Sequence, residues 1–305
     1  NTVLGQMLKY DHITQKEYDK AVKTDLDLDL HETPNGCSAA KSKAEFFCNY
    51  VQNVIMNDDT FGDTADERLA FLQRGGLKIK TSLNPDIQKI ADKEIKKRVP
   101  VGDPSGAGHA LVTIEPGTGE VIAMAENREY TVGEVKKKDK NKKTSINYTV
   151  DKKHNGGGGF QVGSTWKPFV LTAWLKEGKS LNTTVNATKR NFPASSWKYE
   201  GCPNMGGDWD PNNAGDGEGK GSMTALEATK KSVNTGYAAM GNQLNMCDIM
   251  DTAMDLGIRY GSGEALDYKD KSGFIQALSP SSILGTAVTT PIAKAAGFAT
   301  FANEG

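Results

Sequence analysis

Ser164 and Lys167 stand three residues apart in Gly-Ser-Thr-Trp-Lys-Pro-Phe, residues 163 to 169. On a helix, residues at this spacing share one face, so the lysine amine comes within reach of the serine hydroxyl. A neutral lysine can take the proton of a serine and turn a weak nucleophile into a useful one. Gly163 permits a tight turn into the helix, whose first backbone N–H groups can receive a developing negative charge. Farther along, Ser232, Asn234 and Gly236 alternate in Ser-Val-Asn-Thr-Gly, a turn whose side chains point into local hydrogen bonds or into a cleft. The Ser-x-x-Lys spacing alone is common and usually marks a solvated helix face. Its surroundings decide between the two.

Those surroundings must position the groups. VLTAWLKEG, residues 170 to 178, continues the Ser164 stretch in a helical pattern that ends near Gly178. In SMTALEATKKSVNTGYAAM, residues 222 to 240, Ser222 or Thr224 caps a helix that breaks at Ser232. Between these helices, residues 179 to 222 are rich in Asn, Gly, Asp and Pro, and a loop this long in a compact domain tends to be functional. The lysine run within residues 133 to 159 reads as a solvated loop, and its four consecutive glycines lack the Gly-Lys-Ser/Thr ending of a phosphate loop.

The chain has 305 residues, 25% of them charged and 37% hydrophobic, enough for a sizeable core and two domains. Lys and Arg number 37 and Asp and Glu 38, so no net charge points to nucleic acid or to an anionic membrane. Mean hydropathy is −0.53, and no run approaches the roughly 18 apolar residues of a membrane span. Both ends read as cut, so a missing leader or anchor says little about the parent protein. Cys37, Cys48, Cys202 and Cys247 show no metal-ligand spacing. They fit one or two disulfides in an oxidising compartment or, alternatively, four buried thiols. Cys37 and Cys48 could close a small loop; the pairing stays open.

Residues 1 to 24 read as two short helices, the second capped by Thr14 with Glu17 at the capping-box position. Residues 25 to 35 alternate acidic and apolar, as an exposed strand or linker does, and lack the spacing of a calcium loop. Helices follow over 41 to 73 and from Pro85, with LKIKTSL, residues 77 to 83, alternating like a strand between them. Residues 100 to 108 are turn-rich and mark a domain boundary. ALVTI and EVIAMA then read as a hairpin, and residues 245 to 304 as mainly helical, with Pro291 near a helix start.

At these residues the chain resembles the penicillin-binding proteins, which join a Ser-x-x-Lys helix to a Ser-x-Asn loop. GSTWKPF, SMTALEATKKSVNTGY and LGTAVTTPIAKAAGFATFANEG look like three successive blocks of that family. ALVTIEPGTGEVIAMA resembles the opening strands of its transpeptidase domain. RGGLKIKTSLNPDIQKIA resembles the junction before that domain in class A, bifunctional members, and NTVLGQML with ITQKEYDKAV the tail of their glycosyltransferase domain. The third family motif, Lys-Thr/Ser-Gly, should follow the last block, where the chain stops. Lys271-Ser272-Gly273 spells it too early and reads as a loop coincidence.

The resemblance implies an α+β fold, similar to the penicillin-binding and serine β-lactamase domains: an antiparallel sheet packed by helices, with a helical subdomain and its C-terminal part missing. It implies a glycosyltransferase tail over residues 1–28, a linker over 29–105 and a transpeptidase domain over 106–305. Ser164 would be the nucleophile, Lys167 the base, Ser232 the proton carrier and Asn234 the group that holds Lys167 and substrate. Ser164, Trp166, Ser232, Asn234 and Thr235 would line the substrate site. Implied partners are peptidoglycan stem peptides, the lipid-linked precursor, β-lactams, and cell-division or elongation proteins, with no cofactor, metal or nucleic acid. Location would be the outer face of a bacterial cell membrane, reached through an N-terminal anchor absent here. The rivals are a serine β-lactamase-like hydrolase and a non-catalytic penicillin-sensing or wall-binding module.

Overall fold

A computed structural model describes residues 1–25, 36–215 and 219–305. The chain divides into two units, Asn1–Asn35 and Gly36–Gly305. In the first, α1 (Thr2–Lys9) is followed by α2 (Gln15–Lys23). The Thr14 hydroxyl accepts from the Glu17 amide at 3.3 Å, and the Thr14 amide donates to the Glu17 carboxylate at 2.8 Å, the expected reciprocal cap. The alternating acidic stretch lies, from residue 26 on, outside the described residues.

The second unit opens with α3 (Glu45–Asn57), α4 (Ala65–Gln73) and α5 (Pro85–Arg98). Asn84 caps α5 by accepting from the amides of Asp86 and Ile87, and Pro85 takes the first helical position, where no N–H is needed. The hairpin is present as β1 (Ala110–Ile114) antiparallel to β2 (Val121–Glu126). α5 covers it, with Ala91 and Ile95 against Ala123 and Ala125. The buried Gln88 side chain bridges helix and strand, donating to the Lys43 and Met124 carbonyls at 2.7 Å and accepting from the Met124 amide at 2.9 Å. Residues 77–83 form no strand and belong to no sheet. The expected strand is tied down only at its end, by Ser82 Oγ donating to the Val121 carbonyl at 2.8 Å and the Asn84 amide to that of Ile122 at 2.9 Å.

β3 (Glu129–Tyr130) and β4 (Lys143–Thr144) pair in parallel, so the sheets are not all antiparallel, and the lysine run between them is exposed. β5 (Phe160–Gln161) leads through the Ser164 turn into α6 (Lys167–Lys176). The long loop is not wholly irregular: it is closed by β6 (Thr184–Asn186) pairing antiparallel with β7 (Ser222–Thr224). Next come α7 (Ala225–Lys230), α8 (Asn234–Gly241) and α9 (Met246–Asp255). β8 (Val288–Thr289) returns to pair antiparallel with β5, and α10 (Pro291–Ala302) follows, capped by Thr290. The largest core gathers Trp166, Phe169 and Trp174 of the nucleophile stretch with Tyr237 and Met240 of α8 and Ile249 of α9. Disulfides join Cys37 to Cys48 and Cys202 to Cys247.

Candidate active site

Ser164 sits in a 3-10 turn, Gly163–Trp166, and Lys167 begins α6 directly after it. The Lys167 amide donates to the Ser164 carbonyl. In a 3-10 turn residues i and i+3 eclipse, so this spacing places Ser164 and Lys167 on one side of the turn. The chain is clamped on its way in. The Gly163 amide donates to the Gly285 carbonyl at 2.9 Å, and Gly163 holds a φ of 54°. Gly285, at φ 82°, lies against the Gly163 carbonyl so closely that a Cβ there would collide with it. Ser164 is exposed, whereas Lys167 is only 3% exposed.

The second half of the site comes from the end of α7. The Ser232 amide donates to the Thr229 carbonyl at 3.1 Å and the Val233 amide to the Ala228 carbonyl at 2.9 Å. With Ser232 left-handed at φ 53°, this is a Schellman ending, and serine occupies the position that glycine usually fills. α8 starts immediately, so Asn234 and Gly236 lie in a helix and not in the expected turn. The Lys167 amine donates to the Ser232 carbonyl at 2.7 Å, the Ser232 hydroxyl at 2.9 Å and Asn234 Oδ1 at 2.7 Å. The Tyr237 ring centre lies 5.3 Å from the same amine. Lys167, Ser232 and Asn234 therefore form one cluster, an amine held by two further polar residues, and the exposed Ser164 stands one 3-10 turn before that amine in the chain.

Trp166 and Thr235 fall outside this cluster. Trp166 is 0% exposed and stacks edge-to-face on Phe169, so it is part of the core and no wall of the cleft. Thr235 is 1% exposed; its amide donates to Asn213 Oδ1 at 3.1 Å and its hydroxyl accepts from Asn213 Nδ2 at 3.0 Å. It anchors the long loop instead of substrate. The same loop reaches the site through Asn212, whose carbonyl accepts from Asn234 Nδ2 at 2.8 Å. Sequence reasoning missed Asn212, Asn213 and Gly285; the Asn-rich loop was the only signal for the first two. Ser272 donates both its amide and its hydroxyl to Asp270, which makes Lys271-Ser272-Gly273 a turn. Among the described residues no cluster of His, Cys, Asp and Glu could hold a metal, and no helix is long and apolar enough to cross a membrane.

Comparison with known proteins gives the family of the chain. The family model described as the penicillin binding protein transpeptidase domain matches residues 109–305. Penicillin-binding protein 2D of Bacillus subtilis (strain 168) is 24% identical over 304 residues, and the chain spans 37% of that protein. Penicillin-binding protein 1A of Neisseria meningitidis serogroup A is 34% identical over 148 residues, 48% of this chain and 16% of that protein. Among solved structures, penicillin-binding protein PonA1 from Mycobacterium tuberculosis superposes with a TM-score of 0.54 at 24% identity, covering 76% of this chain and 52% of that one. The chain belongs to the penicillin-binding protein transpeptidase family.

Proposed function

We propose that this chain carries the transpeptidase centre of a peptidoglycan-building enzyme and that Ser164 is its nucleophile. In its deprotonated form Lys167 keeps only two of its three donated hydrogen bonds, and its lone pair takes the Ser164 proton as Oγ attacks the carbonyl between the two terminal D-alanines of a stem peptide. The Ser164 amide at the start of the turn receives the oxyanion. Ser232 passes the proton from Lys167 to the departing amine, the C–N bond breaks, and D-alanine leaves an ester on Ser164. An amine from a second stem peptide then attacks that ester, and Ser164 recovers its proton. β-Lactams acylate the same hydroxyl because their strained amide imitates the substrate.

Asn234 holds the Lys167 amine through Oδ1, and one of its amide hydrogens goes to the Asn212 carbonyl. The other remains for a substrate carbonyl. We assign residues 1–28 to the tail of a glycosyltransferase domain, 29–105 to a linker and 106–305 to the transpeptidase domain of a class A parent at the outer face of a bacterial membrane. The chain spans well under two thirds of its relatives, and these assignments concern the parent protein.

One observation carries the reading: the Lys167 amine is bound to Ser232 and Asn234 at once, one 3-10 turn from the exposed Ser164. Intact-mass measurement after incubation with benzylpenicillin tests it. The expected result is one adduct, mapped to the peptide bearing Ser164 and absent in Ser164→Ala. An adduct that persists in Ser164→Ala refutes the assignment, and rapid catalytic turnover of nitrocefin would favour a β-lactamase-like hydrolase.

A further inference from the structure

Lys294 is the only charged residue in α10, and its amine is directed into an aromatic site. The nitrogen lies 4.0 Å from the Phe169 ring centre, 5.2 Å from Phe298 and 5.8 Å from Trp166. α10 approaches α6 closely here. Gly297, one turn on from Lys294, leaves room for Phe169, whose ring a Cβ would meet at 3.2 Å. An ammonium in such a place needs a strong acceptor, since aromatic faces only partly replace its hydration. It has one: Lys294 Nζ donates to the Thr165 carbonyl at 2.6 Å.

The sequence explains why that carbonyl is available. Within the 3-10 turn the Lys167 amide donates to the Ser164 carbonyl. The next bond in the same pattern would run from residue 168 to Thr165, and residue 168 is a proline with no N–H. In the 3-10 pattern the Thr165 carbonyl therefore lacks its i+3 donor, one residue after the proposed nucleophile. We propose that Lys294 is a positioning residue: it supplies from α10 the donor that Pro168 cannot, and so fixes the turn that aims Ser164. The inference rests on the reading of Ser164 as the acylated residue.

The surroundings of the amine are otherwise uncharged. β1, which also packs on α10, carries no charged residue, and Lys167 on α6 turns toward Ser232 and Asn234. Among the described residues no carboxylate pairs with Lys294. Burial accordingly holds its amine down at about 7. Below that pH the bond to Thr165 is charge-assisted; above it a neutral amine makes a weaker one.

The test uses the acylation rate of the purified chain with a fluorescent penicillin from pH 6 to pH 9, beside the melting temperature. Lys294→Met keeps the volume and removes both charge and donor. It should melt no lower than the parent, because a half-buried, partly desolvated charge is gone, yet acylate about ten- to a hundredfold more slowly through a misaimed nucleophile. The noncovalent affinity should hold, and the falling limb near neutral pH should vanish. Lys294→Arg, which keeps a charged donor, should recover much of the rate. A Met variant that acylates within about twofold of the parent across that range overturns the proposal. So does a lower melting temperature, which would make Lys294 a packing residue. If the parent itself takes no label on Ser164, the functional reading fails and not this one alone.

Discussion

Ser232 offers Lys167 two acceptors, its backbone carbonyl at 2.7 Å and its hydroxyl at 2.9 Å. The carbonyl faces the amine because the residue is left-handed, at φ 53°. A serine in that conformation costs about 1 kcal/mol relative to glycine, a cost retained where the hydroxyl is needed.

Two substitutions separate the turn from the hydroxyl. Ser232→Gly should unfold at higher denaturant than Ser232→Ala by about 1 kcal/mol, because only glycine is at ease in the turn. Both should slow penicillin acylation by about a hundredfold, the loss of one proton-transfer group. Equal stability of the two variants would contradict the Schellman geometry, and normal acylation by either would remove Ser232 from the proton path.

Gly285→Ala tests the clamp on the nucleophile's turn. The new Cβ would meet the Gly163 carbonyl, and the backbone at φ 82° disfavours any side chain. The variant should lose about 1–3 kcal/mol of stability and acylate more slowly than the parent even where it is fully folded. Urea denaturation and a labelling time course on the same sample would check both effects.

Glu126 gives the chain a pH-dependent stability. It is 2% exposed, and burial raises it from 4.5 to about 8, against the Tyr148 amide and Arg128, which pull it down. Between those two values the folded chain holds a proton that the unfolded chain releases, so stability falls as pH rises through that window. Glu126→Gln should flatten the fall and gain on the order of a few kcal/mol at about pH 8, with little change at about pH 4.5. Urea unfolding at both pH values measures it; an unchanged slope would show that another group titrates.

The Cys202–Cys247 bridge closes a separation of 45 residues and pins the long loop to α9. Replacing both cysteines by serine should cost about 4 kcal/mol, on the chain-entropy estimate for a loop of that size. Because Asn212 and Asn213 of this loop hold Asn234 and Thr235, acylation should weaken along with stability. Melting curves with and without reductant, beside labelling, check the pair.

Much of the molecule was legible in the sequence where the deciding bonds are local. The Thr14 cap, the Pro85 start of α5, the β1–β2 hairpin and the placing of Lys167 one turn after Ser164 each depend on residues a few positions apart. Helix caps and tight turns are closed by such neighbours, so their residue types suffice to read them. The Ser232–Asn234 motif was legible as a pattern, but the helix at Asn234 was not, because Ser232 imitates a turn residue while ending one helix and leading into the next.

Tertiary structure alone decided which way the amine of Lys167 turns, since its acceptors lie 65 and 67 residues away. It also decided which cysteines pair, that Trp166 and Thr235 face inward, that Gly285 meets Gly163, and that a lysine on α10 reaches the Thr165 carbonyl. These contacts join segments that nothing local holds together. They follow from how α6, α8 and α10 bury their apolar faces, and a pattern along one chain segment carries no record of the surface that will cover it.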